Sequence, residues 1–343
     1  MTQRRSLLVA PLLALALPAR SQTLFNRPIR IVIPVVAGGA VDAALRTLSP
    51  RLSAELGQPV VLDNRPGGAG VLASEIAARA APDGHTLLLG TVGVMAVNPS
   101  LFKSLPADPV RDFSPISLLV HVTNLLAVPA DRGWTSVAAL VAALRASPGR
   151  LNYGSAGIGA AGHLAGALLD HLARTEAVHI PYRGGGQLIT DLISGKLDYA
   201  FATAATVLPH IESGRLRALA VPTEHRSRLV PNVPSMAEAG VPGYAINNWY
   251  GLSAPKGTPT PVVDALNAAV RAALADAENV AKLAHHVLEP AASAPEEYGR
   301  FVQAEITRYA GIIRAAGVTG DLRCAAGIKA APTGHHPPPG WRR

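Results

Sequence analysis

The chain has 343 residues, enough for two domains with sizeable cores, and its 49% hydrophobic content excludes a disordered chain. The formal net charge of +8 sits largely at the ends: Arg4, Arg5 and Arg20 lie in the first 21 residues, and Arg323, Lys329, Arg342 and Arg343 in the last 21. The body between them carries 24 basic against 23 acidic residues, which excludes the electrostatic footprint of a nucleic-acid binder, and the single Cys324 excludes an internal disulfide, a Cys-rich zinc site and a CxxC redox pair.

Residues 1–21 read as a signal peptide. Arg4 and Arg5 form its charged start, and Ser6 to Pro18 form an apolar run too short to span a bilayer. The small residues Ala19 and Ser21 predict cleavage before Gln22. Gln3-Arg4-Arg5-Ser6-Leu7-Leu8 is a loose match to a twin-arginine signal, so the export route stays open.

Behind it, short β-rich runs alternate with Ala-rich helical stretches. The first half predicts strand Ile29–Val35, helix Val41–Leu56, strand Val60–Asp63, helix Gly70–Ala81, strand Thr86–Gly90, strand Leu125–Val128 and helix Ser136–Ala146. The second half predicts strand Leu151–Gly154, helix Ala161–Ala173, strand Val178–Tyr182, helix Gln187–Ser194, strand Asp198–Ala202, strand Leu216–Val221, helix Val262–Ala275 and helix Pro295–Ala316. Such alternation predicts an α/β fold of mostly parallel sheets flanked by helices. Thr135 is the expected N-cap of its helix and Gly195 the expected stop after Ser194. Pro50 is expected to kink or break the first helix. From Arg323 onward the chain turns to Gly, Pro, His and Arg, including His335 and His336, and residues 323–343 are expected to form a disordered tail.

Three glycine-rich turns follow predicted strands and lead into helices. They are Pro34-Val35-Val36-Ala37-Gly38-Gly39-Ala40-Val41-Asp42, then Gly154-Ser155-Ala156-Gly157-Ile158-Gly159-Ala160-Ala161-Gly162-His163, then Tyr182-Arg183-Gly184-Gly185-Gly186. A helix start offers unpaired N–H groups and partial positive charge, and glycine lets a ligand come close to that backbone. Ligands of open α/β sheets bind at the carboxyl ends of strands, where these turns fall. Each alone reads as a tight turn; three together point to anion binding.

Gly157 to Gly162 also spells the dinucleotide pattern G-x-G-x-x-G. That pattern needs an acid after the next strand, and Arg183 stands there instead. Ser155 lacks the G-x-S-x-G elbow because Tyr153 replaces the first glycine. His85, His163, His179 and His210 are scattered, none at metal-ligand spacing. Asp42 reads as support for a helix N-terminus, with a general base as the alternative. No cofactor or metal site is expected.

The residues from Phe25 to Gly317 resemble the tripartite tricarboxylate transporter substrate-binding family, also called TctC or Bug. The resemblance rests on ordered segments, among them Ile31–Asp42, Val61–Gly70 (V-L-D-N-R-P-G-G-A-G), Pro82–Leu89 (P-D-G-H-T-L-L-L), Tyr153–Leu169, Val178–Asp198 and Val233–Tyr244 (V-P-S-M-A-E-A-G-V-P-G-Y). It implies a type II, Venus-flytrap binding protein of the periplasm, with strand crossings near Leu125–Pro129 and Tyr250–Ala254. Lobe one would comprise residues 25–125 plus 250–322, and lobe two residues 126–249. The ligand, a small carboxylate, would be held by Val36-Ala37-Gly38-Gly39-Ala40 and Ser155-Ala156-Gly157-Ile158-Gly159-Ala160-Ala161. Thr91-Val92-Gly93-Val94, Arg183-Gly184-Gly185 and Ala202-Thr203 would line the remainder.

The family also implies no enzymatic activity, hinge closure on the ligand, a monomer, and delivery to a membrane carrier of the tripartite tricarboxylate type. Two other readings stay open on the residues: an exported enzyme using Asp42 or Ser155, and a sensor for a membrane signalling partner. The chain departs from the family at Ile158, Ala160-Ala161, Val94-Met95 and Ala202, where Asn, Ser/Thr, Thr-His and Asp are usual. These changes predict a more apolar cleft and a carboxylate with an apolar body, rather than an amino acid or citrate.

Overall fold

The computed structural model describes residues 24–320; the signal-peptide and tail expectations, with Cys324, His335 and His336, fall outside them. The chain runs β1 (Ile29–Ile33), α1 (Ala40–Leu56), β2 (Val60–Asn64), α2 (Val71–Ala78), β3 (Thr86–Thr91), a π-helical turn at Gly93–Val97, α3 (Asn98–Leu101) and β4 (Phe113–Val122). It continues with β5 (Asn124–Pro129), α4 (Val137–Ala146), β6 (Asn152–Ser155), α5 (Ala161–Ala173), β7 (Val178–Pro181), α6 (Gly185–Ile193), β8 (Tyr199–Thr203), α7 (Ala204–Glu212) and β9 (Leu216–Ala220). The last elements are β10 (Trp249–Pro255), α8 (Thr260–Ala275), α9 (Ala277–His285), β11 (Leu288–Pro290) and α10 (Pro295–Ala315).

Two sheets result, one per lobe. The first has the order β11-β4-β10-β3-β1-β2 and the second β7-β6-β8-β5-β9. Each has a parallel part, β2-β1-β3 and β7-β6-β8, extended by antiparallel strands. The two-lobed α/β architecture is as expected, and the parallel share of each sheet is smaller. The reason is the route of the chain: strands that arrive from the other lobe enter each sheet against its parallel strands.

The chain passes between the sheets at Val122–Asn124 and again at Asn247–Trp249, and the two passages run side by side. Val122 N–H donates to Asn248 O at 2.9 Å, and the Asn248 side-chain amide donates to Asn124 Oδ1 at 3.2 Å. α10 makes a further connection, because it packs on β4 in the first lobe and on α5 in the second. One apolar core runs through this junction, from Val32 and Leu118 through Trp249, Tyr298 and Tyr309 to Tyr153, Leu164 and Phe201.

Local signals fared unevenly. Gly195 ends α6 as expected, with φ +74°. The N-cap of α4 is Ser136 rather than Thr135; its hydroxyl accepts the Ala139 N–H at 3.1 Å. Pro50 does not break α1, which continues for six residues beyond it. Leu45, Leu48 and Leu52 are buried on both sides of the proline, and that packing offsets the lost hydrogen bond. Among the described residues no helix is long and apolar enough to cross a membrane.

Candidate functional site

All three glycine turns lie at the carboxyl ends of parallel strands, β1, β6 and β7, and each opens a helix. The helices they open carry no side-chain cap: the N-caps of α1, α5 and α6 are Gly39, Ala160 and Gly184. α2, α7 and α8 also lack a side-chain cap, whereas α4 and α9 are capped by Ser136 and Asp276. Uncapped helix starts leave N–H groups and positive potential for a ligand.

The turns meet across the lobes. A methyl group on Gly184 would lie 2.7 Å from Val36 Cγ2, so the first-lobe turn and the start of α6 are in contact. A methyl on Gly93 would lie 3.0 Å from Gly159 O, and one on Gly159 would lie 3.2 Å from Asn98 Oδ1. The lobes are thus closed upon each other at two points. Gly157 and Gly159 have φ of +138° and +78°, which suits glycine and shapes the second-lobe turn.

The expected site residues divide as follows. Val36, Ala37 and Gly38 are exposed at this seam, while Gly39 and Ala40 begin α1. Thr91 ends β3, and its hydroxyl accepts the Val94 N–H at 3.4 Å. Val92, Gly93 and Val94 are buried. Ser155, Gly159 and Ala161 are buried, Gly157, Ile158 and Ala160 half-buried, and Ala156 exposed. Arg183 is exposed beside Gly184 and Gly185. Ala202 is buried, and Thr203 ends β8 with its hydroxyl 3.1 Å from that of Thr206, which lies beside Gly185. Asp42 is buried in the first turn of α1, where Oδ2 accepts Arg46 Nε–H at 2.6 Å. Beside it an open cavity of about 400 Å³ is lined by Gly38, Gly39, Asp42, Arg46, Lys282 and His286 among others.

One expected contribution is corrected. Val94 and Met95, expected to make the cleft more apolar, instead have side chains that fill the first lobe. Val94 Cγ2 occupies the notch left by Gly70, and Met95 Cγ the notch left by Gly90.

Sequence reasoning also missed a cluster. His163 and His179, read as scattered, stack with ring centroids 4.1 Å apart. His179 Nε2 lies 2.7 Å from Ser155 Oγ, and His163 Nδ1 accepts the Gly159 N–H at 3.2 Å. Burial holds both rings neutral, lowering His163 to about 4 and His179 to about 3, the latter with help from His163. The Ser–His distance is that of a nucleophile and base, yet Ser155 is 0% exposed and bonded to both the N–H and the carbonyl of Gly157. No substrate atom can reach it in this arrangement. A pairing across β6 and β7 has no signature in local spacing; the register Tyr153↔His179 creates it.

The family model described as the tripartite tricarboxylate transporter family receptor matches residues 44–318. Protein BugT of Bordetella pertussis is 34% identical over 304 residues, covering 88% of this chain and 93% of that protein. Among solved structures, Rpa4515 of R. palustris with adipate superposes with a TM-score of 0.82 at 35% identity, covering 85% of this chain and 98% of the other. MatC from Rhodopseudomonas palustris with bound malate gives 0.78 at 31% identity, covering 84% and 99%.

Proposed function

Because the chain belongs to the tripartite tricarboxylate transporter receptor family, we propose that it is a periplasmic solute-binding protein that closes its two lobes on a small carboxylate and hands it to a membrane carrier. The observation that carries this reading is that the turn before α1 touches the start of α6 across the seam, and the turn before α5 touches the Gly93 turn of the first lobe, with all three helix starts free of side-chain caps. Backbone amides and helix starts meet the carboxylate charge there without a buried cationic side chain. The related structures with adipate and malate support an organic acid as the ligand.

The turns Val36 to Ala40 and Ser155 to Ala161 face the ligand, and the amides left unpaired in them meet its charge, with Thr91 to Val94, Arg183 to Gly185 and Ala202-Thr203 around them. Ile158, Ala160, Ala161 and Ala202 give the site few side-chain donors and favour an acid with an apolar body. The passages at Val122–Asn124 and Asn247–Trp249 serve as the hinge. Residues 1–21 direct export and are removed.

Native mass spectrometry of freshly purified protein, followed by calorimetric titration with adipate, malate, citrate, glutamate and branched or aromatic monocarboxylates, tests the ligand class. The reading predicts tightest binding for an acid with an apolar body. Preference for citrate or glutamate refutes the apolar-body assignment, and binding of no acid refutes the functional reading. Sequencing the N-terminus of the periplasmic protein checks cleavage before Gln22.

A further inference from the structure

The second-lobe turn is braced from behind by groups that the proposed function does not use. His163 on α5 and His179 on β7 lie 19° from parallel in their stack, and His179 also lies over Tyr153, which stacks on Tyr199. The Tyr153 hydroxyl donates to His163 O at 3.2 Å, tying the stack to α5. At its other edge the stack meets the turn twice, through Ser155 and through the Gly159 amide.

The ring tautomer of His179 follows from whether the Ser155 hydroxyl gives its proton to Gly157 O or to His179 Nε2, and the bond to Gly157 O selects the first. The Ser155 hydroxyl donates its one proton to Gly157 O at 2.9 Å, and its oxygen accepts the Gly157 N–H at 3.2 Å. The 2.7 Å contact with His179 is then a donation from Nε2–H into the serine oxygen. His163 Nδ1 accepts an amide proton, so its own proton is on Nε2. Two of the turn's amides, Gly157 and Gly159, are occupied in this way. The amides of Ala156, Ile158, Ala161 and Gly162 meet no acceptor among the described residues.

We infer that His163 and His179 are positioning residues: His163 occupies the Gly159 amide, His179 bonds the Ser155 hydroxyl that occupies the Gly157 amide, and the amides of Ala156, Ile158, Ala161 and Gly162 are left to take the ligand carboxylate. This inference rests on the proposed function for its second half and on hydrogen-bond geometry for its first. The bracing holds the backbone of the turn in place, and with it the remaining donors.

Two measurements on the full chain test the bracing without ligand. Long-range ¹⁵N–¹H spectra at neutral pH should show both rings as Nε2–H tautomers, and an Nδ1–H tautomer at either position overturns the inference. Amide exchange should be slower at Gly157 and Gly159 than at Ala156 and Ile158, and the reverse order overturns it.

A third measurement uses adipate and malate as probes. His179→Leu and His163→Leu should each weaken binding about tenfold or more. His179→Gln keeps a donor at the place of Nε2, and His163→Asn an acceptor at the place of Nδ1; both should stay within about threefold of the parent. Equal losses in the Leu and conservative variants, or no loss in the Leu variants, overturn the positioning role. If the parent binds neither acid while tautomers and exchange are as stated, the functional reading falls and the bracing stands.

Discussion

Gly93→Ala places one methyl group where the first lobe meets the second-lobe turn. The added carbon would lie 3.0 Å from Gly159 O and 3.6 Å from Gly159 C, with Thr91 Oγ1 at 3.8 Å. The first distance is a few tenths of an ångström short of an ordinary contact, and the atom opposite is backbone, which cannot rotate aside. Gly93 is outside the left-handed region, so alanine fits its backbone within the first lobe. The strain therefore falls on the closed arrangement of the lobes. Overpacking of this kind costs about 1–3 kcal/mol, which corresponds to an apparent Kd about 5- to 150-fold higher. Calorimetric titration with adipate, paired with thermal melts of ligand-free protein, separates the two states. The expected result is weaker binding in that range with a ligand-free Tm within about 2 °C of the parent. Unchanged affinity, or a ligand-free melt that falls as far as the ligand-bound one, would refute the assignment of this contact to closure.

Gly184→Ala should behave differently, because its φ of +146° strains alanine whether or not the lobes meet. A ligand-free stability loss of about 1–3 kcal/mol is expected from urea unfolding, and adding Val36→Ala should recover only the steric share. Gly166→Ala would put its methyl 2.1 Å from Tyr153 Cε2, in a ring held between His179 and Tyr199, so a loss of about 3 kcal/mol or more is expected by the same assay. Acid should weaken the fold through His163. Its folded pKa is lowered from 6.5 to about 4, so the unfolded chain binds more protons between those values. The His163 share should be about 3 kcal/mol as pH drops from 6.5 to 4, levelling off below; His179 should add a comparable loss over the same range and carry it on to about pH 3. Tyr153, Asp170 and His171 share the cavity beside His163, so the urea midpoint of His163→Asn serves as the control; an identical pH profile in that variant would refute the attribution.

Much of the fold could be read in the sequence because its parallel strands are short apolar runs closed by glycine turns. The elements that escaped reading lack those marks. β4 carries Pro115 near its start, is buried on most of its length, and shows bulges against β10, so it has no clean alternation. α7 is nine residues long with Pro209 inside it, and α9 is equally short. The three glycine turns were legible as helix starts, and they do open helices without side-chain caps. What could not be read is which amides remain available. Gly157 and Gly159 look like ligand donors in the sequence, yet Ser155 and His163 occupy them, and the decisive contacts come from side chains on separate elements. The direction of Val94 and Met95 was equally hidden, because it depends on notches left by Gly70 and Gly90 elsewhere in the chain.

α10 reaches from β4 to α5, and the apolar core beneath it is unbroken between the sheets. A protein with two lobes joined only by strands can melt one half at a time. Here neither half can lose its packing without exposing the aromatic side chains of the other, Trp249 and Tyr309 among them. Scanning calorimetry should accordingly record one endotherm, with calorimetric and van't Hoff enthalpies in agreement.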